Sequence, residues 1–277
     1  VYPIHFNVTQ KAVIAAILVI LAIQTSRSVD LIVALWGASG VIVAVWLVRL
    51  RNLQQTLSFA ALAATGIMAG ELLAGNGPGL ALLFTALNMG EILFAVFLTR
   101  RFVPGLDMSS LRTVSRYLLI PSILAPLPSA ISAAVIFHLL RDAPAFLTFQ
   151  TYWLGHALGL ALIVPLILSF RASRPFATAS GTAVAEWIAY GAGLIGLGYF
   201  VLFIAPVPLN FLFMPMLVLI ALRLRVPGIT AGLMIVAVMS FAALIMNADT
   251  AAQTGTFSFA QRTVMIQAMI SIALMPL

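Results

Sequence analysis

Three polar residues in otherwise apolar stretches have types and positions that could support chemistry. Asn88 and Glu91 are three residues apart, so they share one face if the stretch is helical. His156 lies in a separate apolar stretch. A carboxylate and an imidazole that meet at membrane depth can form a pair whose protonation responds to a ligand or to pH. The alternative interpretation is a structural hydrogen bond that holds two helices together.

The composition predicts the element type that must position these groups. Hydrophobic residues make up 63% of the 277 residues and charged residues 8%, against roughly 45–50% and about 25% in soluble domains. We therefore expect an all-α, polytopic integral membrane bundle, with the lipid bilayer as solvent and partner and with residues 1–277 as a single membrane domain. The net charge of +7 comes from basic residues at segment ends, so we expect no nucleic-acid partner.

About ten apolar segments approach the length of about 17–25 residues that crosses a bilayer. The segment 209–222 is short and contains Pro215, so we expect it to be kinked or to merge with a neighbour into a broken helix. Eight or nine spans are the alternative count. The predicted spans are 12–25, 31–48, 57–74, 79–98, 117–140, 145–170, 184–205, 209–222, 228–246 and 260–277.

The basic residues alternate between the two sides of these segments and predict the orientation. One side has only Arg27, Arg141 and Arg262. Short loops rich in Lys and Arg stay cytoplasmic, so both termini are predicted to be cytoplasmic, in a bacterial inner membrane. The other side has 11 basic residues: Lys11, Arg49, Arg51, Arg100, Arg101, Arg112, Arg116, Arg171, Arg174, Arg223 and Arg225.

Depth along the predicted spans brings the polar residues together. At 1.5 Å per residue, the span entered from outside near Gly79 places Asn88 near the midplane and Glu91 about one turn deeper. The span entered from outside near Ala145 places His156 at nearly the same depth. Ionisable groups at this depth are functional candidates by default. We therefore predict that Glu91 and His156 form a buried pair.

Other residues in the spans have simpler interpretations. Glu71 lies towards the outer end of its span, where its carboxylate is expected to reach water. Trp36 and Trp153 fall in outer halves of their spans, which is typical of interfacial anchors. The small residues 37–40 predict close packing against a neighbouring helix, and the prolines at 121, 126 and 128 predict irregular backbone that is protein-buried or lines a cavity.

Catalytic signatures are missing from the sequence. It contains no glycine-rich phosphate loop, metal-ligand cluster, or nucleophile with a neighbouring base. It also lacks cysteine, which excludes disulfides and thiolate metal sites. We expect no catalytic residue, metal or cofactor within this chain.

Several motifs occur in an order that resembles the first membrane-associated sensor domain family, from about Leu31 onward. That family comprises membrane input modules at the N-termini of bacterial sensor histidine kinases and diguanylate cyclases. At the position where the family usually has an acidic residue, this chain has His156. The matching pieces are Leu35-Trp36 with Ser39-Gly40, Asn88-x-x-Glu91 with Leu98-Thr99-Arg100-Arg101, Trp153-Leu154-Gly155-His156-Ala157-Leu158-Gly159 with Pro165-Leu166-Ile167-Leu168, and Phe213 to Arg223 with Pro227-Gly228.

The resemblance implies a sensory input module that couples a small ligand or a membrane protein partner to a cytoplasmic output domain beyond residue 277. The implied output is a diguanylate cyclase rather than a histidine kinase, and a homodimer is expected to form through that domain. The alternatives are a small-molecule transporter and a structural subunit of a membrane complex. The ligand-binding or signalling candidates are Trp36, Asn88, Glu91, Trp153 and His156, with Glu71 and Arg223 as secondary candidates.

The charge asymmetry makes the topology testable with reporter fusions. We expect reporters fused after Arg101 or Arg174 to read cytoplasmic and reporters fused at Asn76 or Thr250 to read periplasmic, because the basic residues cluster on one side. Paired activity and accessibility reporters in cells check this. Opposite labelling at any two of the four sites would overturn the ten-span topology.

Overall fold

The computed structural model describes residues 10, 13, 17, 35–49, 53–108, 110–176, 180–207, 209–246 and 258–274. All regular secondary structure in this part of the chain is helical. The helices are α1 (Gly37–Arg49), α2 (Leu53–Leu73), α3 (Pro78–Phe102), α4 (Leu111–Leu119), α5 (Pro121–Leu124), α6 (Leu127–Arg141), α7 (Ala145–Ser173), α8 (Gly181–Tyr199, continued by the π-helix Phe200–Ile204), α9 (Phe213–Ile245, preceded by the 3₁₀ turn Asn210–Leu212) and α10 (Phe259–Leu274).

Six described helical stretches are long and apolar enough to cross a membrane, so the predicted all-helical membrane protein is confirmed. The predicted count of ten is not matched. The predicted span 12–25 lies outside the described residues except for positions 13 and 17, and α1 and α10 are shorter than the six. The six stretches are Gln54–Leu73, Pro78–Phe102, Arg112–Arg141, Ala145–Ser173, Gly181–Ile204 and Asn210–Leu244.

The chain forms two compact units. The first comprises Val1–Pro104 and Leu119–Val164, and the second comprises Gly105–Leu118 and Pro165–Leu277. In the first unit, α3 is the central helix because it packs against α1, α2, α5 and α6. The polar residues predicted on α3 are therefore surrounded by protein rather than by lipid.

Glycines allow α1 to approach α7 at backbone distance within the first unit. A Cβ built on Gly40 would lie 2.6 Å from the carbonyl oxygen of Gly159, and one built on Gly159 would collide with the carbonyl oxygen of Trp36. The backbone N–H of Trp36 donates to the carbonyl of Gly155 at 3.1 Å. The predicted close packing of residues 37–40 is confirmed, and it fixes Trp36 against α7.

The prolines interrupt the helical backbone between α4 and α6. Pro121 begins the four-residue α5, and Leu127 begins α6 directly after Pro126. Proline lacks an N–H group and breaks the helical hydrogen-bond ladder. The indole Nε1 of Trp153 donates to the carbonyl of Ile123 at 2.9 Å, so a side chain of α7 satisfies an acceptor in the interrupted segment. The predicted irregularity is confirmed.

The segment α9 is a helical hairpin. Arg225 has φ 57° and ψ −154°, outside the helical region. A Cβ on Gly232 would lie 3.1 Å from Cδ2 of Leu217, whereas a straight helix would separate these residues by about 22 Å. The chain therefore reverses at Arg225, between the predicted spans 209–222 and 228–246. Pro227 suits the first turn of the returning helix, where its missing N–H has no intrahelical acceptor.

The glycine contact between α1 and α7 predicts a strong effect of one added methyl group. We expect Gly159→Ala to lower the free energy of unfolding, because the added methyl group must displace the carbonyl of Trp36. Overpacking of this kind costs about 1–3 kcal/mol in other proteins. The matched control is Gly90→Ala in α3, where a Cβ meets no atom within 4 Å. Thermal unfolding in lipid nanodiscs measures both. Equal stability of the two variants would contradict this packing.

Candidate functional site

A buried contact between a carboxyl group and an imidazole joins α3 to α7 in the first unit. Nδ1 of His156 lies 2.7 Å from Oε2 of Glu91. His156 is 1% exposed and Glu91 is 3% exposed. The carboxylate and imidazole that the sequence placed at matched depth are therefore in direct contact. Charged groups in such surroundings are stable only when they are paired and hydrogen-bonded.

Ser129 of α6 is a third member of this cluster, and the sequence reasoning missed it. Its hydroxyl lies 2.8 Å from Oε2 of Glu91 and 2.9 Å from the carbonyl of Pro126. A serine has one hydroxyl hydrogen, so it can donate fully to only one of these acceptors at a time. The nearby prolines were the available signal, since a polar side chain in an irregular buried segment needs a partner.

Aromatic rings enclose the imidazole of His156. Tyr152 stacks on it with centroids 4.0 Å apart, and Trp36 stacks on it with centroids 5.4 Å apart. Trp36 is only 4% exposed, so it is built into the site and the interfacial-anchor interpretation does not fit it. Tyr152 was missed, although its position four residues before His156 on α7 places both on one helical face.

Asn88 lies one turn before Glu91 on α3, and its side chain is oriented by a local bond. Its Nδ2 donates to the carbonyl of Phe84 at 2.9 Å. The Oδ1 atom of Asn88 and the Oε1 atom of Glu91 are both buried without a hydrogen-bond partner. The shared face predicted for the two residues therefore presents two buried acceptor oxygens.

Glu71 corrects one expectation. Its side chain was expected to reach water, but the residue is 7% exposed. Asn76, in the connection after α2, donates from Nδ2 to Oε2 of Glu71 at 2.6 Å. The amide replaces solvent as the partner of the carboxylate. The Coulomb interactions of Glu71 also reach His156 and Tyr152, so Glu71 belongs to the same electrostatic environment.

The remaining two candidates lie elsewhere in the structure. Trp153 directs its indole N–H to Ile123 and stacks on Phe149, with centroids 5.8 Å apart. Arg223 belongs to the second unit, where its Nε donates to Oε1 of Glu186 at 2.7 Å. Neither side chain is joined to the Glu91–His156 pair by these contacts.

The chemistry open to this cluster is binding and charge rearrangement. Among the described residues, no group of three or more His, Cys, Asp or Glu side chains could hold a metal ion. A serine, a histidine and a carboxylate are present, but Ser129 donates to Glu91 rather than to His156. The serine, imidazole and carboxylate are therefore not arranged in the order of a Ser–His–carboxylate triad.

The family comparison covers almost the whole chain. The family model MASE1 matches residues 9–277, which includes every residue of the Glu91–His156 cluster. Neither the curated proteins nor the solved structures contain a match to this chain.

The contact between Glu91 and His156 predicts energetic coupling. We expect a double-mutant cycle with Glu91→Gln and His156→Gln to give a coupling energy of about 0.5–3 kcal/mol, as contacting residues do. Unfolding of the protein in lipid nanodiscs measures it. Thr85→Val with His156→Gln is the control cycle, because the hydroxyl of Thr85 bonds the carbonyl of Ala81 on its own helix. Additive effects in the Glu91 cycle would rule out a direct pair.

Proposed function

Because the chain belongs to the MASE1 family of membrane-associated sensor domains, we propose that it couples binding of a small ligand or membrane protein partner among its helices to a cytoplasmic output domain. The observation that carries this proposal is the buried Glu91–His156 pair, with its 2.7 Å contact between α3 and α7. A binding event that rearranges this pair changes how two helices are held together.

The energetics of the pair suit a switch. Removing one partner from a buried ion pair costs about 3–5 kcal/mol in proteins, because the other charge is left without compensation. A typical coupling between two sites is about 1–3 kcal/mol. The free energy available to a ligand that competes for Glu91 or His156 is therefore large enough to change the packing of α3 against α7.

The finer features of the proposal rest on the sequence. The distribution of basic residues, 11 against 3, supports cytoplasmic termini in the bacterial inner membrane. The ten-span topology is kept as part of the proposal, with the hairpin at Arg225 as two of its spans. A diguanylate cyclase is favoured over a histidine kinase as the output domain on family resemblance alone, with homodimerisation through that domain.

Transport is the second candidate function, and the second unit supplies the observation that favours it. Interrupted helices line the substrate sites of many transporters, and α9 is interrupted at Arg225. A cavity of about 440 Å³ lies beside this hairpin and is lined largely by apolar side chains, including Met214, Leu217, Met265 and Met269. A structural role in a membrane complex remains the third alternative.

The output of the full-length protein in lipid nanodiscs tests the proposal. We expect Glu91→Ala and His156→Ala each to shift GTP turnover, or autophosphorylation from ATP, by several-fold while the protein still inserts. Thr85→Val is the control, because the hydroxyl of Thr85 bonds the carbonyl of Ala81 on its own helix. The exchanged pair Glu91→His with His156→Glu should recover part of the output.

Two results would contradict the sensor proposal. The first is unchanged output in both alanine variants, which would make the pair a structural link between helices. The second is substrate flux into proteoliposomes by the 277-residue segment alone, which would establish transport.

A further inference from the structure

The buried ionisable side chains of the first unit include more carboxyl groups than imidazole groups. Among its described residues, the buried carboxyl and imidazole groups belong to Glu71, Glu91 and His156. If both carboxylates are ionised and the imidazole is protonated, one negative charge has no compensating group within this cluster. An uncompensated charge at this depth is costly.

Hydrogen-bond acceptors are also in surplus. Oε1 of Glu91 and Oδ1 of Asn88 have no partner, and the single hydroxyl hydrogen of Ser129 is divided between Glu91 and the carbonyl of Pro126. The amide nitrogen Nδ2 of Asn88 already donates to the carbonyl of Phe84. Buried polar atoms in native proteins almost always have a partner. We therefore expect a hydrogen-bond donor or a cation to bind these two oxygens.

The charge of the cluster selects the class of partner. We propose, resting on the sensory function above, that Glu91 Oε1 and Asn88 Oδ1 bind a small monovalent cation, either an alkali metal ion or a primary ammonium group. A single positive charge balances the surplus of the cluster. A divalent ion fits less well, because its second positive charge would have no counterpart among Glu71, Glu91 and His156.

This binding mode links occupancy to the helix contact. Both oxygens of one carboxylate would then be in use, with Oε2 facing His156 and Ser129 and Oε1 facing the cation. A bound cation draws charge from the carboxylate, which weakens its hold on His156. Cation binding therefore acts on the same contact between α3 and α7 that the sensor proposal uses.

Thermal unfolding of the full-length protein in nanodiscs tests the cation site. At fixed pH and ionic strength, N-methyl-D-glucamine chloride is replaced stepwise by sodium, potassium or methylammonium chloride. We expect a saturable rise in the melting temperature with at least one of the small cations, since ligands that bind only the folded state stabilise it. The cation that gives the rise distinguishes an alkali metal ion from an ammonium group.

Three variants locate the response. Glu91→Gln should abolish the rise in melting temperature. Asn88→Leu keeps the contact between Glu91 and His156, so it should only raise the cation concentration that gives half of the rise, by about tenfold, as expected for the loss of one hydrogen bond to a charged group. Thr85→Val is the matched control on the same face of α3, because its hydroxyl already bonds Ala81. It should respond as the wild-type protein does.

The outcomes separate this inference from the sensor proposal. No difference between the small cations and N-methyl-D-glucamine, or a response that survives in both Glu91→Gln and Asn88→Leu, overturns the cation site. A melting temperature that depends on pH alone also overturns it, because a proton then neutralises the surplus charge. If Glu91→Ala changes the output while no cation response exists, only the cation site fails. If a cation response exists while the output is unaffected, only the sensor proposal fails.

Discussion

The contact between a carboxylate on one helix and an imidazole on another constrains the first unit more than any other interaction. Glu91 and His156 are both almost completely buried, and a charge on either group is costly in such surroundings unless the other group pairs with it. The central position of α3 keeps lipid away from Glu91, and the two rings stacked on His156 hold the imidazole in place. The packing of the unit is thus organised around one polar contact.

That contact requires backbone geometry that ordinary helices do not provide. Gly40 and Gly159 let α1 and α7 approach closely enough for Trp36 to lie on His156. The proline interruption before α6 precedes Ser129, whose hydroxyl reaches Glu91. A continuous helix through this region would leave the carbonyl of Ile123 bonded within its own helix. Instead, Trp153 donates to that carbonyl, so one irregularity positions Ser129 and ties α7 to the same segment.

Features with a fixed period and the positions of the proline breaks were predictable from the sequence, whereas the side-chain contacts made in irregular backbone were not. The constant rise of a helix was enough to match the depths of Glu91 and His156, and residue size was enough to predict the glycine contact. The contact of Ser129 depended on the geometry of a helix break, which carries no periodic signal. The stacking of Tyr152 on His156 depended on its rotamer, although its spacing of four residues was visible in the sequence. The Glu71–Asn76 bond depended on a loop. The number of membrane spans depended on short apolar helices, whose length does not decide whether they cross the bilayer.

Stability alone does not account for the polar cluster. Replacing a buried ion pair by apolar residues of similar volume is often neutral or stabilising in proteins, and a leucine in place of Asn88 would remove an acceptor that has no partner. The second unit shows the cheaper arrangement, in which Glu186 and Arg223 pair while partly exposed. A ligand that supplies a partner for the two unsatisfied oxygens of Glu91 and Asn88 would bind one arrangement of the pair better than another, and a ligand shifts packing only by such a difference in affinity.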